Sequence, residues 1–219
     1  MVEVHKKLMG CRLSGLNRLG SNIGKEVEGF KVQIKKLKKD YERIINKDLK
    51  NDVDKIILLD GKMMLQKGEE AIDYIYKHGY LGVIERSMNR EEICIGRADS
   101  GNLRFLEKTN SEDSTHGVIS NKSIFEIGTL KGISYNLVEE DLYKYIKRLQ
   151  RRQENIDKEE IINTFVHSAH LSLNSIDYLK GLCSYPKDFL KCWERYKYGK
   201  KEKTEEDILL ELEKSMKYE

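Results

Sequence analysis

The sequence predicts a mainly α-helical protein with a small β-insert, and three observations carry that prediction. A single proline among 219 residues leaves long stretches free of the residue that most disrupts helices. Charged side chains make up 35% of the chain, and lysine and glutamate keep most of their rotamer freedom on a helix. Apolar residues recur every three or four positions over two long N-terminal stretches and again over the C-terminal third, with a break between them. At this length, with 39% hydrophobic residues, the chain can bury a real core as one large domain or two small ones.

Residues 1–24 read as a polar lead-in with scattered Leu and with Gly10, Gly15, Gly20 and Gly24. A long helix is predicted from near Lys25, because Val27, Phe30, Ile34, Leu37, Tyr41 and Ile44 step by three or four along one face. A second helix is predicted over 52–76 through Ile56, Leu59, Met63, Ala71, Ile72 and Ile75, with Met63 and Met64 as core filler and His78-Gly79 as its stop. The pattern then changes. Ile93-Cys94-Ile95, Leu103-Arg104-Phe105-Leu106 and Ile124-Phe125-Glu126-Ile127 are short, apolar and bounded by turn-rich sequence, so three short strands are expected, with a polar loop over 110–123. Helical periodicity returns after Val138. Leu142, Tyr145, Ile146 and Leu149 mark one helix, Ile161, Ile162, Phe165 and Val166 another, and 171–183 a third. Pro186 suits the first position of a fourth, where a missing N–H costs nothing. A last amphipathic helix follows Thr204, with Glu206 and Asp207 in its first turn and Ile208, Leu209, Leu212 and Met216 as its apolar row. No internal repeat is visible.

Composition excludes several function classes. The net charge of +3 is the small difference between 40 basic and 37 acidic side chains, which does not call for nucleic acid or a membrane surface as partner. The densest basic run, Lys31, Lys35, Lys36, Lys38 and Lys39, reads as a solvated helix face; a phosphate-binding patch is the sharper alternative. No apolar run approaches the roughly 18 residues of a membrane span, and no signal peptide is recognised. Cys11, Cys94, Cys183 and Cys192 form no C-x-x-C pair and read as thiols in a reducing cytosol. His167 and His170 share a helix face but lack a third ligand, so no metal is expected there. Cys94, in an apolar strand, reads as an inert buried thiol. Tyr185, Phe189, Trp193, Tyr196 and Tyr198 cluster near the C-terminus, and either pack the core or present an aromatic docking surface.

Several segments, taken in order, resemble the CotS-type spore coat proteins, which are related to the aminoglycoside and choline phosphotransferases. Val4-His5-Lys6-Lys7 with Gly10 is similar to that family's F-H-x-A-S-x-G stretch, and Asn22-Ile23-Gly24-Lys25 to its N-x-G-K-W, with Glu26 where Trp is usual. Gly68, Glu69, Ala71 and Gly79-Tyr80 resemble the helix and turn that precede its catalytic loop. Leu182-Cys183-Ser184-Tyr185-Pro186-Lys187-Asp188-Phe189 resembles its L-x-Y-P-x-K-F-W signature, followed by Tyr196-Lys197-Tyr198 and Lys200-Lys201. The resemblance covers almost the whole chain but only the family's C-terminal lobe. It implies one kinase-like domain over 1–219, with a helical part (1–90), a β-insert at the catalytic loop (91–135) and C-terminal helices (136–219). The N-terminal lobe, with its nucleotide-covering strands and phosphate-pairing lysine, is expected to be missing.

Departures from the family decide the functional expectation. Active relatives carry H-G-D-x-x-x-x-N, whose Asp accepts the proton of the attacking hydroxyl and whose Asn helps hold Mg²⁺. Here that stretch is Ile95-Gly96-Arg97-Ala98-Asp99-Ser100-Gly101-Asn102. Asn102 is kept, but Ile95 stands at the His and Arg97 at the Asp. An arginine does not accept a proton near neutral pH and repels a metal ion. Asp99 is the nearest substitute. The metal-binding I-D-F-D turn falls on Gly128-Thr129-Leu130-Lys131, anchored by the match of Ile133-Ser134-Tyr135-Asn136-Leu137 to L-S-Y-D-L, so Thr129 replaces the carboxylate. Asp141-Leu142 fits a later D-L pair that supports the fold. The expectation is therefore a protein with no catalytic residues, no cofactor and no ATP, in which Asn102 and Asp99 are at most remnants of a nucleotide or metal site. By resemblance it is made in the mother-cell cytoplasm and deposited in the spore coat, where it binds other coat proteins or itself through helical faces and its Tyr/Lys-rich C-terminal region. The alternative is a residual or split small-molecule phosphotransferase that needs a separately encoded N-terminal lobe.

Overall fold

The computed structural model of the protein describes residues 1–11, 19–111, 120–199 and 203–217. Its described elements run α1 (Val2–Leu8), α2 (Lys25–Ile45), α3 (Asp52–Lys77), α4 (Tyr80–Asn89), β1 (Ile93–Cys94), β2 (Leu103–Ser111), β3 (Ser120–Ile127), β4 (Ser134–Tyr135), α5 (Glu139–Arg151), α6 (Lys158–Ser168), α7 (Leu173–Ser184), α8 (Lys187–Tyr198) and α9 (Glu205–Met216). None of these helices is long and apolar enough to cross a membrane.

Helix α2 forms as the spacing predicts. Val27, Phe30, Ile34, Leu37 and Ile44 are buried along one stripe, and the lysines between them face outward. Several of those lysines meet acids, Lys31 with Glu28 at 2.8 Å, Lys38 with Glu69 at 2.5 Å and Lys36 with Glu194 at 3.5 Å, which makes the basic run a solvated, partly paired face. Helix α3 starts at a capping box: the Asn51 side chain accepts from Asp54 N–H, and the Asp54 carboxylate accepts from Asn51 N–H. Its buried stripe follows the predicted row at Ala71, Ile72 and Ile75 and departs from it in the first half of the helix. Val53, Ile57, Met64 and Leu65 are buried, whereas Leu59 and Met63 are exposed, so only one of the two methionines fills the core. Two elements depart from the sequence expectation. The lead-in holds the short helix α1, and Gly79, at φ 81°, joins α3 directly to α4, so the stop signal is also a start.

One large apolar core gathers side chains from α2 to α9. Helix α3 lies at its centre, against α2, α7, α8 and α9. The C-terminal aromatics belong to this core. Tyr185, Phe189 and Trp193 have no exposed surface, which corrects the reading of them as a docking surface; Tyr196 is half-buried and only Tyr198 is exposed. Phe189 is wholly apolar, and Tyr185 and Trp193 can bury because their polar ends find partners inside. Tyr185 stacks on Phe30 with ring centroids 3.7 Å apart and donates to Gln33 Oε1 at 2.8 Å. Trp193 Nε1–H donates to Asp40 Oδ2 at 3.0 Å. Pro186 caps α8 rather than occupying its first turn, one position from the expectation.

The β-insert is two small ladders. Strand β1 pairs antiparallel with β4, Ile93 opposite Tyr135 and Cys94 opposite Ser134, and β4 is a strand the sequence pattern did not single out. Strand β2 pairs antiparallel with β3 from Leu103↔Ile127 to Ser111↔Ser120, with a register shift between Phe105 and Glu107. The predicted loop over 110–123 is thus partly ribbon, and residues 112–119 lie outside the described residues. A second, smaller core of Val4, Ile93, Ile95 and Ile133 lies beneath these ladders, with Leu103, Phe125 and Ile127 packed against it.

Candidate functional site

Four segments converge at the end of β1: the loop 95–102, the turn 128–133, the first turn of α5 and helix α1. Asp141 organises them. Its carboxylate is 1% exposed and accepts from Ile95 N–H at 2.8 Å and Gly96 N–H at 2.9 Å; His5 Nε2 lies 3.0 Å from Oδ2 and donates in its Nε2–H tautomer. The α5 N-terminus favours these acids, because its free N–H groups carry the positive end of the helix dipole. Gly96 sits at φ 76°, and a Cβ there would lie 2.7 Å from Gly132 O, so loop and turn cross at a point only glycine fits.

Asn102 ties the same loop to the turn. It is 2% exposed; its Nδ2 donates to Arg97 O at 2.9 Å and its Oδ1 accepts from Thr129 N–H at 2.7 Å, while its own C=O accepts from Gly128 N–H at 2.8 Å. Both ends of the amide are engaged by backbone. Thr129 uses its hydroxyl oxygen to accept from Lys131 N–H at 3.1 Å. Asp99 is 7% exposed and accepts from Gly101 N–H at 3.0 Å; Arg97 Nε lies 3.2 Å from its Oδ1, and the Arg148 guanidinium meets its Oδ2. Ile95 is fully buried beneath the loop, and the Arg97 side chain is 56% exposed above it. The five positions singled out by sequence, Ile95, Arg97, Asp99, Asn102 and Thr129, therefore stand together around one loop.

The structure adds partners that the pattern did not show. Arg148, from the far end of α5, completes the Asp99 cluster. At the other end of α5, buried Glu139 and Glu92 hold Arg86 through four N–H···O bonds of 2.7 to 3.0 Å, with Ser175 Oγ as a fifth acceptor at 2.8 Å. The only sequence signal for this network is the run Glu139-Glu140-Asp141 ahead of an apolar helix, since burial of charged residues leaves no mark in a hydrophobic pattern. Cys94 is buried and its Sγ–H donates to Leu137 O at 3.0 Å; burial pushes the thiol well up, which makes it a poor nucleophile. His167 and His170 are exposed, and among the described residues no three His, Cys, Asp or Glu side chains gather to hold a metal ion.

Chemically, this loop is tied to the turn by Asn102, and its own carboxylate is paired. Asp99 is the carboxylate nearest the loop's centre, and it is occupied by two guanidiniums and a backbone amide. Beside the loop the β2–β3 ribbon exposes Phe105, Leu106 and Ile124, and the turn exposes Leu130.

No family model matches the sequence, and no curated protein matches it. Among solved structures, the chain is similar to an aminoglycoside phosphotransferase from Alicyclobacillus acidocaldarius subsp. acidocaldarius, with a TM-score of 0.72 and 10% sequence identity. The match covers 99% of this chain and 59% of that one. The mostly helical architecture is thus that of an aminoglycoside phosphotransferase, a kinase-like fold, and the chain spans a little over half of the structure it matches.

Proposed function

We propose that a chain with this kinase-like fold acts as a non-catalytic structural or interaction protein, a pseudokinase-like C-terminal lobe of the spore coat type. The observation that carries the reading is the state of the loop 95–102. Phosphoryl transfer depends on a carboxylate that orients the attacking hydroxyl and on oxygen ligands that position metal and phosphate. In this loop Arg97 stands at the position resembling that carboxylate, Asp99 is held between Arg97 and Arg148, and the Asn102 amide is engaged by Arg97 O and Thr129 N–H. The exposed apolar side chains Phe105, Leu106 and Ile124 on the ribbon and Leu130 on the turn are the features that favour a partner-binding surface on this reading. On this reading 1–219 is one domain, its partners are other coat proteins or a second copy, and it passes from the mother-cell cytoplasm to the coat.

Calorimetry and thermal shift with ATP, with and without Mg²⁺, test the reading. The expected result is no heat and no shift that depends on Mg²⁺. Mg²⁺-dependent binding that Asp99→Ala or Asn102→Ala abolishes would mean a working nucleotide site and overturn it. A phosphotransferase completed by a separate segment is the second reading, favoured by the phosphotransferase neighbour and by the retained Asn102. It requires a strand-rich lobe with a lysine, whose addition restores ATP turnover by this chain.

A further inference from the structure

Around the loop 95–102, two guanidiniums share the Asp99 carboxylate, while the second acid, Asp141, is buried beneath the loop on Ile95 N–H, Gly96 N–H and His5. Arg97 Nε lies 3.2 and 3.3 Å from the two oxygens of Asp99, and Arg148 meets the same carboxylate from α5. One nearly buried carboxylate, already accepting from Gly101 N–H, thus faces two guanidiniums with five N–H donors each. The two arginine side chains remain 56% and 31% exposed, so much of that donor capacity faces solvent. Arg152 caps the C-terminal end of α5, 59% exposed and reaching Glu154 only at 3.9 Å, whereas Arg151 is held by Asp188. Lys131 is exposed in the turn that crosses the loop at Gly96 and Gly132. The crowding registers on Arg148, whose guanidinium is lowered from the ordinary arginine range, first by burial and then by the charges of Arg97, Arg152 and Arg151.

We propose that Arg97 and Arg148, with Arg152 at the rim, form a binding site for a phosphate-class oxyanion, either free phosphate or a phosphorylated side chain. A tetrahedral dianion offers the paired oxygens that planar guanidiniums bind two at a time, and it supplies the negative charge that Asp99 alone lacks. The cations here are side chains, so binding needs no metal. Asp99 is an internal competitor for the same donors and sets the affinity from below. The site goes beyond the proposed function and does not depend on it.

Titration calorimetry without Mg²⁺ tests the site on the full chain, using inorganic phosphate, a phosphoserine peptide with neutral flanks, and the same peptide unphosphorylated. Saturable binding of phosphate and of the phosphopeptide only is expected, weakening as salt rises. Stronger binding of the peptide than of free phosphate identifies a phosphorylated side chain as the source, and the reverse identifies the free ion. Arg97→Gln and Arg148→Gln each weaken binding by about tenfold or more. Asp99→Asn tightens it, the opposite of what a metal–nucleotide site requires, so the two ideas fail on different results. Arg152→Gln, at an exposed position, gives a smaller loss even if a change at Arg148 perturbs the fold. No saturable phosphate binding, or binding unchanged in Arg97→Gln and Arg152→Gln, overturns the proposal.

Discussion

Glu140 shows how one carboxylate can set the pH dependence of this protein. It is 2% exposed, accepts from Asn136 Nδ2 at 2.6 Å and from Tyr178 OH at 3.3 Å, and has Lys144 Nζ 4.0 Å away. Burial pushes its pKa up to about 7, with the charge of Glu26 adding to the rise, and these donors offset only part of it. Between the ordinary glutamate value and about pH 7 the folded chain therefore holds a proton that the unfolded chain releases. Stability from this group is fully present below that window, declines as pH rises through it and is flat above. Glu140→Gln should remove the decline and leave the protein more stable at pH 8 by at most about 3 kcal/mol. Urea unfolding at several pH values between 5 and 8 measures it; an unchanged slope in the variant would assign the decline to another group. Asp141, one residue on, has different partners, two backbone N–H donors and His5 around its carboxylate. Both acids appear in the sequence as one polar run, and only their surroundings tell them apart.

At the scale of elements, close packing and helix propensity pull in different directions. Gly181 lies on α7 where it crosses α3, and a Cβ there would come within 2.4 Å of Ile75 Cγ1 and 3.2 Å of its Cδ1. Replacing it by alanine gains about 1 kcal/mol of helix propensity, while overpacking a filled interior costs about 1–3 kcal/mol. The contact involves the inner carbon of a β-branched side chain, which gives way poorly, so Gly181→Ala should destabilise the protein by about 1–2 kcal/mol in chemical denaturation. A stabilised variant would mean that α3 and α7 separate without cost. The longer elements were legible because their signals are local. Asn51 and Thr204 each begin a capping box, and α2 carries five buried apolar residues at helical spacing. Helix α1 was not, because its seven residues bury only Val4 and His5, too few to make a period. Strand β4 has two residues and exists only by pairing with β1.

At the scale of the molecule, two cores of unequal size imply unequal local stability. The large core ties together α2 to α9, whereas the small one rests on Val4, Ile93, Ile95 and Ile133. The β2–β3 ribbon has no third strand among the described residues and keeps Phe105, Leu106 and Ile124 exposed. Two-stranded ribbons are marginal, and this one packs only Leu103, Phe125 and Ile127 on the small core. Amide hydrogen exchange should therefore run faster in 103–106 and 124–127 than in α3 and α7, on the scale that separates local from global opening. Binding of a partner to the ribbon would slow its exchange selectively. Equal protection throughout the free chain would mean that the ribbon belongs to the main cooperative unit.

The sequence by itself determined the helical class and the order of the long elements, because each rests on local spacing or on residue type. It placed Ile95, Arg97, Asp99 and Asn102 in one loop and Thr129 in a separate turn. Tertiary structure decided what those residues touch. Arg148 reaches Asp99 from 49 positions away and Asn102 reaches Thr129 across 27, distances over which no period carries information. It also decided that Tyr185, Phe189 and Trp193 are core, since an aromatic with a polar tip suits an interior and a surface equally well until a partner such as Gln33 or Asp40 is in reach.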